Sequence, residues 1–159
     1  MVDGIILDEI SLKIVRILSK DSSLPFVEIA KQIGISDATV HMRIKHLLTA
    51  GIIDKFTISI NNNRLGYSHV AFIGVNIEPG HVQEVVNYLS GIEEILELHE
   101  MFSRFDLLLK LRARNLKQMR DIVVNNVRKC PRIVEVEFMA MLKTTKEEQT
   151  ISLNFLEKE

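Results

Sequence analysis

The sequence predicts an α+β fold in two parts, helical first and β-rich second. Two observations predict it. Up to about residue 50 the apolar residues recur at helical spacing, with caps and breaks between the runs. From His69 onward, runs with strand-like apolar content alternate with helical runs in the order β-α-β-β-α-β.

The elements follow in order. Leu7-Asp8 begins a helix with Asp8 as its N-cap, and Ile10, Ile14, Ile17 and Leu18 form the buried stripe. The helix ends near Lys20, before the polar run Asp21-Ser22-Ser23. Pro25 suits the first turn of a second helix, where Val27, Ile29, Ala30 and Ile33 form an apolar stripe. Gly34 permits the left-handed backbone that ends it. Ser36 caps a third helix, with Val40, Ile44, Leu47 and Leu48 facing inward. Two short helices joined through a glycine turn make a helix-turn-helix, whose second helix can enter a DNA major groove. Such a pair also occurs in helical domains with no nucleic-acid partner. After Gly51, residues Ile53–Ile60 alternate apolar and polar like a strand, which would make the unit a winged helix-turn-helix. Asn61-Asn62-Asn63 is a polar break and the expected boundary, giving units 1–63 and 64–145 and a tail, 146–159.

The second unit has strands at His69–Ile77, Ile95–Met101, Leu107–Leu111 and Val134–Leu142, and helices at His81–Gly91 and Leu116–Val127. This is the ferredoxin-like βαββαβ plan. Right-handed crossovers place both helices on one sheet face. The first and last strands are apolar on both sides, Val70 and Phe72 opposite Ala71, Ile73, Val75 and Ile77, and Val134, Val136, Phe138, Ala140 and Leu142 opposite Met139 and Met141, so the other face is apolar as well. It needs a cover, either a second copy packed sheet to sheet or the first unit. The tail alternates Ile151, Leu153 and Phe155 with polar residues, as an added edge strand or a subunit contact would.

Composition sets outer limits. The chain has 159 residues, 47% hydrophobic and 26% charged, with no apolar run long enough to span a membrane. No signal peptide is expected, because Asp3, Asp8 and Glu9 stand where a basic region would be. A lone Cys130, before Pro131, suits a reducing cytoplasm and a buried apolar role. Net charge is −1. Residues 1–63 balance seven basic against seven acidic side chains, so DNA binding must come from local placement and several subunits together.

Other chemistry is poorly supported. His69, His81 and His99, with Glu100 or Asp106, lack metal-ligand spacing, and no metal or cofactor is expected. Glu93-Glu94 and Glu147-Glu148 read as solvated charge rather than catalytic acids. No nucleotide-binding or hydrolase motif is present, so no enzymatic activity is expected.

Several features in order carry a family resemblance: Leu7-Asp8 and the helix-turn-helix, then Gly51-Ile52-Ile53, Leu65-Gly66, His99, Phe105-Asp106, Leu108-Leu109-Lys110 and Pro131. Together they resemble the Lrp/AsnC ("feast/famine") transcription regulators of bacteria and archaea, over residues 7 to about 145. The resemblance implies an N-terminal DNA-binding unit. It also implies a ferredoxin-like unit that dimerises, assembles to octamers and often binds an amino acid between dimers. Three positions depart from the family pattern: Ser11 replaces a second Asp, Pro25 a Ser, and Ser103 a Gly before Asp106.

The expected function is sequence-specific, DNA-binding transcriptional regulation. The alternative is an oligomeric small-molecule binder or architectural DNA-binding protein. Ser36, Asp37, Ala38, Thr39, His41, Met42, Arg43, Lys45 and His46 are the expected DNA-binding residues. Among these, Arg43, Lys45 and His46 suit phosphates, and Arg43 has a second reading as a brace of the fold. The resemblance places an effector, glutamine or another amino acid, at Met101, Phe102, Ser103, Arg104, Phe105 and Asp106. Asp106 would take the ammonium, or else is a structural turn residue.

Overall fold

The computed structural model describes residues 7–148, 150, 151 and 153. These form two compact units. One holds residues up to Ser59 with those after Glu147, and the other spans Ile60–Glu147.

The first unit contains α1 (Glu9–Lys20), α2 (Phe26–Ile33) and α3 (Asp37–Thr49). Asp8 caps α1 by accepting from the Ser11 N–H at 2.9 Å, and Ser36 caps α3 by accepting from the Thr39 N–H at 3.1 Å. Gly34, at φ 78°, turns α2 toward α3 and donates to the Ala30 carbonyl, which also accepts from Ile35. Ile14, Leu18, Ile29, Ala30, Val40, Ile44 and Leu47 form one core, with Ile14, Ile29 and Val40 fully buried. Pro25 occupies the cap position rather than the first turn of α2. Val27 and Leu48 face out, and Phe26 fills the place expected for Val27.

The expected strand Ile53–Ile60 pairs with no strand among the described residues. Phe56, Ile58 and Ile60 are exposed, Ile58 at 77%. A strand needs a neighbour to take its N–H and C=O groups, and no described segment supplies one.

The second unit contains β1 (His69–Ile77), α4 (Val82–Ser90), β2 (Ile95–Glu100), β3 (Leu107–Ala113), α5 (Leu116–Asn125) and β4 (Ile133–Ala140). The strands form one antiparallel sheet in the order β2-β3-β1-β4, the ferredoxin-like arrangement. Ala71, Ile73, Val75 and Ile77 of β1, with Leu107, Leu109 and Leu111 of β3, face Val85, Leu89, Met119, Ile122 and Val123 of the helices. Cys130 is buried in this core as a free thiol.

The opposite sheet face is less apolar than expected. Residues paired directly across the ladder share a face. The pairs Val70–Arg112, Phe72–Lys110 and Gly74–Leu108 therefore mix apolar and charged groups, as do Phe72–Met139, Gly74–Glu137 and Asn76–Glu135. Val70, Phe72, Leu108 and Met139 make an apolar strip, with Glu97, Lys110, Arg112, Glu135 and Glu137 around it. Met141 lies beyond the strand end, with its N–H on the Val70 carbonyl. Of the tail, Ile151 is exposed and forms no strand, and Phe155 lies outside the described residues.

Candidate nucleic-acid interface and effector loop

The helix-turn-helix presents α3 with one face buried and the other open. Val40, Ile44 and Leu47 point inward. Ser36, Asp37, Ala38, His41, Met42, Lys45 and His46 are exposed and Thr39 is half-buried, its hydroxyl 2.7 Å from that of Ser36. Met42 is 64% exposed. His41 packs edge-on against Phe26, with ring centroids 4.6 Å apart.

Arg43 makes the contacts of a brace. Its Nη1 donates to both Asp8 carboxylate oxygens at 2.6 and 2.5 Å and to the Ser11 hydroxyl at 3.0 Å. A guanidinium engaged in this way braces the start of α1. The reason is position: residue 43 lies beside the inward stripe, close to the start of α1. Ser11, only 8% exposed, receives Arg43 where a second family Asp would stand. The Ser11 N–H and then the Arg43 side chain hold the Asp8 carboxyl below its usual range.

The loop Met101–Asp106 closes on itself and is tied to β1 through Asp106. The Met101 N–H donates to the Asp106 carbonyl at 2.8 Å, and the Asp106 N–H to the Val75 carbonyl at 3.0 Å. The Asp106 Oδ2 accepts from the Ile77 N–H at 2.8 Å, so one carboxylate oxygen fixes the loop. Ser103 accepts from the Phe105 N–H through its hydroxyl at 3.4 Å, a turn contact that glycine could not make. Phe105 is buried against Gly74, and a Cβ on Gly74 would lie 2.5 Å from the ring. Arg104 stacks over that ring at 4.4 Å and pairs with Glu137 of the same chain. Met101 is exposed, and Phe102 is fully so.

In one chain the loop is exposed apart from Phe105. An open hollow of about 500 Å³ lies instead among Tyr88, Gly91, Ile92, Glu93, Glu94 and Asn126, and includes none of Met101–Asp106. No three His, Cys, Asp or Glu side chains gather to hold a metal among the described residues. No helix there is long and apolar enough to cross a membrane.

Sequence reasoning missed Glu147, read as solvated charge. Its carboxylate bridges Lys110 and Arg112 on β3, at 2.8 Å from the Arg112 Nη2. Glu97 holds the same Lys110 at 2.8 Å, and the Tyr67 carbonyl accepts from Arg112 at 3.1 Å. Lys110 and Arg112, two apart on one strand face, were the only available signal.

Two family models match this chain. The AsnC-type helix-turn-helix domain matches residues 7–48, and the Lrp/AsnC ligand binding domain matches residues 70–151. The chain belongs to the Lrp/AsnC family. An HTH-type transcriptional regulator of Pyrococcus abyssi, FL11, is 38% identical over 141 residues, covering 89% of this chain and 93% of its own. Ptr1 of Methanocaldococcus jannaschii is 43% identical over 100 residues, covering 63% of this chain and 68% of its own. The fold is that of AsnC from E. coli, at TM-score 0.86 and 22% identity, covering 92% of this chain and 99% of that one. A Neisseria meningitidis transcriptional regulator solved in complex with L-Met has TM-score 0.87 and 21% identity, covering 95% and 99%. This Lrp/AsnC protein is thus a DNA-binding transcriptional regulator carrying a ligand-binding domain.

Proposed function

We infer that this regulator binds double-stranded DNA as a homodimer in the cytoplasm, and that an amino-acid effector at Met101–Asp106 modulates it. The carrying observation is α3, whose outward face is open along its whole length while its inward face is sealed. The charge balance of residues 1–63 favours sequence-specific regulation over the architectural alternative. A near-neutral reading unit gains little from phosphate attraction alone, so its affinity must come from fitted contacts.

Two features support the dimer. The sheet face opposite the helices is an apolar strip with charged rims, and Phe56, Ile58 and Ile60 stand exposed on a segment that joins no sheet among the described residues. A two-fold axis brings each surface against its own copy, which is how self-complementary patches are covered. Assembly to octamers would enclose the exposed loop between dimers.

The effector reading rests on the ligand-binding domain match and on the Neisseria relative with L-Met. In this chain the second Asp106 oxygen has no hydrogen-bond donor among the described residues, leaving room for an ammonium. Ser103, Arg104 and Asp106 make the loop polar, which suits glutamine at least as well as an aliphatic amino acid.

One experiment tests both parts: selection of bound duplexes from a random pool, alone and with each of the twenty amino acids. Enrichment of a near-palindrome, changed in affinity by one or a few amino acids, is expected. Uniform binding of all sequences would instead support the architectural reading.

A further inference from the structure

The outward face of α3 says which base feature this regulator reads, an inference that rests on the DNA-binding assignment above. At 3.6 residues per turn, the positions opposite Val40, Ile44 and Leu47 are Ala38, Met42, Lys45 and Thr49. All four are exposed. The leading end of a recognition helix contacts base edges, which puts Ala38 and Met42 there and Lys45 about two turns beyond Ala38.

The arginine, asparagine and glutamine readers are missing from the open face of this helix. Arginine in bidentate contact with guanine is the commonest specific contact, and Asn or Gln reads adenine in the same way. The one arginine of α3 is bound to Asp8 and Ser11, and α3 contains neither Asn nor Gln. The leading face instead carries a methyl group and an exposed thioether chain. A single exposed methionine needs no explanation by itself. This one stands at the centre of the reading face, one turn from Ala38. In the major groove only thymine presents a methyl group, and a small or flexible apolar side chain is its complement.

We propose that Ala38 and Met42 read thymine C5-methyl groups, so that T·A pairs contacted through apolar atoms specify each half-site. Asp37 and His41 flank this pair and set its limits. Lys45 takes phosphate.

The test uses the full-length protein and its own selected duplex. Deoxyuridine replaces thymidine one position at a time, which removes one methyl group and leaves every hydrogen-bonding group in place. At one or two positions per half-site, affinity should fall about fourfold per methyl group, equivalent to about 0.8 kcal/mol. Met42→Ala should lose that discrimination, binding the thymine and uracil duplexes with equal affinity at its position. Because Met42 is exposed, the variant should fold, and its far-ultraviolet spectrum checks this. Equal affinity for thymine and uracil at every position would overturn the proposal while leaving sequence-specific binding intact. No enrichment of any sequence in the selection would overturn that binding, and the methyl readout with it.

Discussion

Arg43 and Lys45 stand two residues apart on α3 and do opposite things. The Arg43 guanidinium closes the Asp8–Ser11 cap, whereas Lys45 points to solvent. Arg43→Ala should therefore lower the stability of the first unit by about 1 kcal/mol, allowing for the partial exposure of the pair. Thermal unfolding checks it. Lys45→Ala should leave the melting temperature in place and reduce the salt slope of DNA binding by about 1 per protomer. An unchanged slope would remove Lys45 from the phosphate contacts. The Asp8 carboxyl titrates below its ordinary 3.8 in the folded state, so its stabilisation is present above that pH and is lost as pH falls below it. Gly74 is the other decisive residue. Its Cβ would meet the Phe105 ring at 2.5 Å, and Phe105 is buried with Arg104 stacked on it. Gly74→Ala should push the ring out and shift the loop, weakening any effector by tenfold or more while the sheet survives. Calorimetry of effector binding beside the melting temperature separates the two effects.

At the scale of elements, the βαββαβ order and the helix caps were legible because each rests on local spacing. Asp8, Gly34 and Ser36 act within three or four residues of themselves. The partner of Arg43 lies 35 residues away and that of Glu147 lies 37, and no local pattern carries such a pairing. The segment after Gly51 shows the converse. Its alternation is that of a strand, yet an alternating pattern states only that one side seeks a neighbour, not that the same chain provides one. The Glu147 bridge makes the tail testable. Lys110 is only 13% exposed and Arg112 only 8%, between the Glu97 and Glu147 carboxylates. The hydrogen bond from Lys110 is the main cause that lowers Glu147, and Glu147 is in turn the main cause that raises Lys110. The bridge therefore holds above the usual glutamate value of 4.5 and opens as pH falls below it. At the basic end only its Lys110 contact is lost, as pH rises past 10.5. Glu147→Gln should cost about 1 kcal/mol near neutral pH and nothing under acid conditions where wild type has already lost the charge. It should also speed tryptic cleavage after Lys143 and Lys146, and an unchanged cleavage rate would show that the bridge does not restrain the tail.

For the whole molecule, the question is what covers the surfaces one chain leaves open. Burying an Ile side chain is worth about 1.5–3 kcal/mol, and Ile58 is left 77% exposed on a segment that pairs with no strand among the described residues. Two copies of this segment running antiparallel would satisfy both the side chains and the ladder, since a two-fold axis through a strand pair makes the two edges equivalent. The same axis would set the two α3 helices as equals, which calls for a near-palindromic site with half-sites about one helical turn apart, or a multiple of it. Ile58→Lys places a charge at the centre of that pairing, twice per dimer. Its effect should be at least a tenfold rise in the dimer dissociation constant, the equivalent of about 1.4 kcal/mol, measured by sedimentation of the full-length protein. Affinity for the palindrome should fall with it and recover at higher protein concentration, whereas a single half-site should be bound as before. If the dimer is untouched, its contact lies on the sheet face alone, and Phe72→Lys, in the apolar strip beside Lys110, should then break it instead.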